Sequence, residues 1–125
     1  MFGHLAYTSV DAAPASLSAA WHDILRNELG FTGVAITDDM AMLEASGVPA
    51  YRDPVANAVA ALVAGNDMVL GVAYSSADRA NAVIDGIAAA AASGALSAER
   101  LDEAATRVVA LRLASATGAL PCDGC

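Results

Sequence analysis

The chain has 125 residues, 6 basic and 14 acidic side chains, a net charge of −8, and 57% hydrophobic residues. All six basic residues are arginine, alanine fills 32 positions and aromatics make up only 5%, so much of the apolar content is small. That content excludes a disordered chain. A lysine-free acidic chain is a poor partner for nucleic-acid phosphates, and no apolar run approaches the ~18 residues of a membrane span. The length suits one domain with room for a core. The opening MFGHLAYTSVDAAP lacks a basic n-region and a long apolar h-region, so it does not read as a signal peptide.

In chain order, residues 2–7 read as a short apolar strand interrupted by His4, and residues 8–16 as a turn-rich stretch. A helix is expected from Ser16 or Ser18, since either hydroxyl can cap free N–H groups. Leu17, Trp21, Ile24, Leu25 and Leu29 recur at helical spacing on one face, and Gly30 suits the left-handed stop. Residues 33–37, GVAIT, read as a second strand, apolar on both faces as in a covered parallel sheet. It ends in Asp38-Asp39, and a loop of small residues runs to Arg52.

Asp53-Pro54 opens the next helix as cap and first helical position. Val55, Val59, Leu62 and Val63 form its expected buried stripe, and Gly65 ends it. Residues 67–74, DMVLGVAY, read as a third buried strand. Ser75 or Ser76 caps the helix carrying Val83, Ile84, Ile87 and the alanine run 88–92, which Ser93-Gly94 stops. Ser97 caps a last helix with Leu101, Ala105, Val108 and Leu111, closed by Gly118 and Pro121. The order β-α-β-α-β-α-α predicts an α/β fold with right-handed crossovers and a parallel sheet.

Reactive groups of such folds gather at the C-terminal ends of the strands. Three places qualify: His4 and the loop after it, Asp38-Asp39, and the segment after Tyr74. Because side chains alternate along a strand, Asp38 shares a face with Val34 and Ile36, while Asp39 shares the other with Ala35 and Thr37. The two carboxylates are therefore expected to do different jobs. One can face a site while the other pairs with backbone N–H groups or an arginine; alternatively both cap the turn.

The run GFTGVAITDDMAM at 30–42 resembles the nucleophile segment of glycoside hydrolase family 3, in its β-N-acetylglucosaminidase branch. GHLAY at 3–7, PASLS at 14–18, AALVAGNDMVL at 60–70 and ERLDEAATRVVALR at 99–112 resemble further segments of the family, in order and with suitable spacing. The resemblance implies a TIM-type (β/α)8 barrel and a retaining glycosidase acting on an N-acetylglucosamine-containing glycan or muropeptide-type substrate, with no metal and no cofactor. It maps the catalytic nucleophile onto Asp38, a sugar-subsite methionine onto Met42, and a structural partner onto Asp39. Such a nucleophile attacks the anomeric carbon to form a glycosyl-enzyme ester and must stay ionised. Met42 packing in the core is the plain alternative. His4 either faces the pocket as a substrate-binding group or is structural, and Asp67, at the start of its strand, is read as structural.

The resemblance also implies a His–Asp general acid/base in a motif of the type K-H-x-P-G-H-G, which nothing here matches. There is no lysine, and the other histidine, His22, lies inside a helix. The chain is thus expected to be the last three strands and helices of a barrel that needs eight strands and ~250 residues. Residues 1–117 would form that part and 118–125 a flexible tail. A partner would be the N-terminal part of the barrel, and the isolated chain would be inactive. The alternative is a truncated or split fragment acting only as a folding or interaction piece. The compartment stays open, bacterial and either cytoplasmic or exported.

Competing readings are weaker. A receiver-type phosphoacceptor domain needs five βα units and a lysine, and a P-loop needs a lysine too. Cys122 and Cys125 lack the further ligands of a zinc site and are expected as free thiols or a local disulfide.

Overall fold

The computed structural model describes residues 1–73 and 75–118. Strands β1 (Ile36–Asp39) and β2 (Met68–Leu70) pair in parallel, with Ile36 opposite Met68 and Asp39 opposite Leu70. The helices are α1 (Ala19–Asp23), α2 (Ala41–Ala45), α3 (Pro54–Ala64), α4 (Ala77–Ser93) and α5 (Ala98–Thr117). A π turn, Ile24–Glu28, continues α1, and single 3-10 turns lie at Ala15–Leu17 and Pro49–Tyr51. The result is an α/β fold with parallel strands joined by a helical crossover, as the alternation predicts.

All three expected strands come out shorter or shifted, each because its backbone groups find other partners. The segment 2–7 touches β1 at one parallel bridge, Phe2 to Thr37. Phe2 N–H donates to Ile36 O and Asp38 N–H to Phe2 O, both at 2.8 Å. Beyond that the segment folds onto its own turn, where Ala15 and Ser16 N–H donate to Leu5 O and Gly3 O and Ala6 bridges Pro14 antiparallel. The second strand runs on through Asp38 and Asp39 instead of stopping at Thr37. The third ends at Leu70, because Val72 and Ala73 turn their N–H groups to the Asp39 carboxylate. Tyr74 lies outside the described residues.

The β1 segment is covered on one face only. Ala35 and Thr37 are buried, whereas Val34, Ile36 and Asp38 are half-buried. The expectation of two covered faces is therefore corrected, since the Val34, Ile36 and Asp38 side of the alternation is only half-buried. Thr37 Oγ1 accepts Leu70 N–H at 3.0 Å, so a side chain makes a link that the ladder backbone would otherwise supply.

Helix boundaries follow local hydrogen-bond chemistry. Ser18, Asp53, Ser76 and Ser97 each accept a first-turn N–H, and Ser16 instead sits buried in the 3-10 turn. Gly65 leaves α3 at φ +127°, and a Cβ there would meet His22 Cβ at 2.7 Å. The core has two clusters, Met40, Leu43 and Ala61 on one side and Leu62, Ala90 and Leu96 on the other, with Val69 against both.

Several expected core positions are open. Leu29, Val63, Ile84 and Leu111 are exposed, while α3 and α4 approach each other with mainly small buried residues, Ala58, Ala61 and Ala90. Gly86 allows that approach, since a Cβ on it would collide with Val55 Cγ1. Among the described residues no helix is long and apolar enough to cross a membrane. Pro121, Cys122, Cys125 and nearly all of the expected tail lie outside the described residues.

Candidate active site

The C-terminal end of β1 brings Asp38, Asp39 and His4 together, with Met42 just beyond. Asp38 and Asp39 diverge as alternation requires. The Asp39 carboxylate turns toward β2 and its outgoing loop, accepting N–H groups from Val72 and Ala73 at 3.0 Å each and from Ala41 at 3.2 Å. Those donors from Val72 and Ala73 hold its carboxyl below the usual carboxylate range, against a smaller opposing effect of burial. Asp38 points to the half-covered face. Among the described residues its carboxylate has one hydrogen bond, from the N–H of Asp39 at 2.8 Å.

His4 reaches across the same strand end. Its Nε2 lies 3.0 Å from Asp39 O and its Nδ1 2.7 Å from Ser16 Oγ. Met42 is 54% exposed on α2, whereas Met40 is buried in the core. At the same end, Arg79 at the start of α4 pairs with Glu44 of α2 and ties the two outgoing connections together.

The opposite end of the strand pair carries a different acid. Asp67 has a fully buried side chain and accepts from Arg26 at 2.5 Å, Arg100 at 2.6 Å and Arg107 at 3.0 Å, and from Ala35 N–H at 2.9 Å. Burial pushes its carboxyl up, but the Ala35 N–H and the three guanidinium groups outweigh it, so the group sits below the usual range. Arg100 also donates to Leu62 O and Asn66 O and so covers the end of α3. Asp67 was expected to be structural, but its arginine partners were not foreseen. The one available signal is the Arg100–Arg107 spacing, seven residues apart on one face of α5.

Nearby, His22 is buried, with Nδ1–H donating to Ser18 O at 2.8 Å and the Phe2 ring stacked 4.0 Å away. Burial drives its imidazole below the ordinary histidine range. An apolar groove of about 550 Å³ runs between β2, α3, α4 and α5, with Asp39 at one end and Asp67 at the other. Asp38 does not line it.

Comparison with known proteins bears on what this strand end does. Residues 1–111 match the model of the glycosyl hydrolase family 3 N terminal domain. A β-hexosaminidase of Vibrio cholerae is 44% identical over 71 residues, covering 56% of this chain and 21% of that protein. Among solved structures, a family 3 β-N-acetylglucosaminidase from Paenibacillus sp. is 35% identical with a TM-score of 0.67, over 82% of this chain and 19% of that one. The β-N-acetylglucosaminidase of Thermotoga maritima is 25% identical with a TM-score of 0.71, over 85% of this chain and 23% of that one. The chain spans about a fifth of the length of the curated relatives it matches. With the family model matched from the first residue into α5, and the same fold in solved members, the chain belongs to glycosyl hydrolase family 3, in its N-terminal domain.

Proposed function

We propose that this chain supplies the nucleophile-bearing part of a retaining β-N-acetylhexosaminidase of family 3, with Asp38 as nucleophile. The observation that carries the reading is the unequal treatment of the acidic pair. Asp39 spends its carboxylate on three backbone N–H groups, while among the described residues Asp38 keeps one carboxylate oxygen without a hydrogen bond on the less covered strand face. A carboxylate at the C-terminal end of a parallel strand, open on one side, suits attack on an anomeric carbon. Asp39 is then the structural partner, and half-exposed Met42 lines the sugar subsite. Substrates are N-acetylglucosamine-containing glycans, a class that the β-hexosaminidase and β-N-acetylglucosaminidase relatives support, and within it we propose muropeptide-type ones.

Residues 1–117 are read as the last three βα units of a (β/α)8 barrel, with 118–125 as a tail. Phe2, β1 and β2 lie in consecutive parallel order, and exposed Val72, Ile84 and Leu113 are apolar surface suited to the rest of a barrel. No His–Asp acid/base of the family type occurs in the sequence, so leaving-group protonation must come from elsewhere. The isolated chain is expected not to turn over a p-nitrophenyl N-acetyl-β-glucosaminide; robust turnover would sink that reading.

The nucleophile is tested by exchanging residues 1–111 for their counterpart in the Vibrio cholerae enzyme. A fluorinated mechanism-based inhibitor is expected to label the peptide containing Asp38. Asp38→Asn should abolish the label and lower kcat by at least about 10³-fold. Labelling of that peptide in the Asn variant would refute the assignment.

A further inference from the structure

We propose that His4 is a positioning residue for the Asp38 carboxylate, acting through the main chain of Asp39, and not a ligand of the sugar. The proposal rests on the reading of Asp38 as nucleophile. Its basis is that both ring nitrogens are already spoken for. A carbonyl oxygen only accepts, so the 3.0 Å contact with Asp39 O requires the proton on Nε2. In the neutral ring Nδ1 then accepts, and the Ser16 hydroxyl donates to it at 2.7 Å. A sugar hydroxyl would have to break one of these bonds to reach the ring.

The anchor behind His4 is rigid. Ser16 is fully buried in its 3-10 turn, its N–H donates to Gly3 O at 3.0 Å, and its carbonyl accepts Asn66 Nδ2 at 2.7 Å. Asn66 is itself fully buried and also donates to Ala61 O at the end of α3. A relay of side chains therefore runs from α3 through Asn66, Ser16 and His4 to the end of β1.

The placement of that last bond explains its purpose. The ladder between the N-terminal segment and β1 stops after Asp38 N–H donates to Phe2 O at 2.8 Å. The imidazole makes the next link, two residues further along the N-terminal segment and one further along β1. Asp38 is thus bracketed, its own N–H held by Phe2 and the carbonyl of the residue after it held by His4. On the far side the Asp39 carboxylate and Met40 N–H are tied to the β2 segment. With the backbone fixed from both flanks, the Asp38 side chain starts from one defined Cα–Cβ direction, as a nucleophile aligned to within a fraction of an ångström requires.

The test uses the 125-residue chain with labelled histidine and aspartate in NMR. At a pH where the imidazole is neutral, the unmodified chain is expected to show the Nε2–H tautomer of His4; the Nδ1–H tautomer would overturn the proposal, and this measurement needs no variant to fold. His4→Leu is expected to displace the Asp38 and Asp39 carboxyl resonances, while Asp67 at the opposite end stays in place. His4→Gln, which keeps a donor near Nε2, should restore the original positions. Unmoved Asp38 and Asp39 resonances in His4→Leu, an equal displacement of Asp67, or no rescue by glutamine would each overturn it. These readouts are independent of catalysis. Absence of inhibitor labelling at Asp38 would therefore strike the nucleophile reading alone, and unchanged resonances would strike His4 alone.

Discussion

Asp67 and the Asp38–Asp39 pair stand at opposite ends of the same two strands, and their charges are compensated by different means. At the N-terminal end one buried carboxylate meets three guanidinium groups drawn from the π turn and α5, plus one backbone N–H. Every lone pair there is engaged, and nothing is left for a ligand. At the C-terminal end two adjacent carboxylates meet no arginine among the described residues. One is quenched by three N–H groups, and among the described residues the other keeps an oxygen without a hydrogen bond. Charge–charge pairing makes a closed, permanent joint, whereas dipoles of the main chain stabilise an anion without covering it. That difference is the physical content of the rule that parallel α/β folds keep stability at one end and chemistry at the other.

The comparison can be broken most severely at Asp67. Asp67→Asn leaves three arginines facing a neutral amide and should cost about 3–5 kcal/mol, read from urea denaturation. The same substitution should change the acid limb of stability. Asp67 titrates lower folded than unfolded, so its contribution is complete above the unfolded value of about 3.9 and disappears as pH falls through the lower folded value. His22 follows the same sign, with its contribution complete above about 6.5 and lost as pH falls. Stability should therefore drop in two stages on acidification, and Asp67→Asn should flatten the lower stage while leaving the upper one.

A smaller effect is expected at the other end. Asp39→Ala frees the N–H groups of Val72 and Ala73 into an open loop and should cost about 1–2 kcal/mol. Asp38→Ala should change stability by less than about 0.5 kcal/mol, and slightly in the favourable direction, because it removes a like charge beside Asp39. If Asp38→Ala proves as costly as Asp39→Ala, both acids are structural and the contrast between the two ends collapses.

How much of this was readable in the sequence depended on the range of the interaction. Ser18, Asp53, Ser76 and Ser97 cap helices through bonds to residues two or three positions on, and Gly30, Gly65, Gly94 and Gly118 stop them through their own φ angles. Such signals are local and were legible. Strand lengths were not, because residues 2–7 are apolar enough for a strand but lose their carbonyls to the turn at Ala15 and Ser16. The opposite facing of Asp38 and Asp39 followed from strand periodicity. The partners that give each acid its role did not, since Asp67 meets arginines 33 to 41 residues away and Asp39 meets N–H groups 33 and 34 residues away. His4 illustrates the same limit, because nothing near it in sequence announces its bond to Asp39, 35 residues on.

The π turn at Ile24–Glu28 has a consequence for how Arg26 reaches its acceptors. Leu29 N–H bonds five residues back, to Ile24 O, so the helix accommodates one more residue than an α turn would in the same space. Arg26 lies inside it, and its guanidinium reaches Phe31 O, Gly33 O and Asp67 together. Removing one residue from 24–28 would let the turn close to regular α pitch and shift Arg26 by one position relative to these three acceptors. The turn is thus an insertion that the buried charge keeps in place.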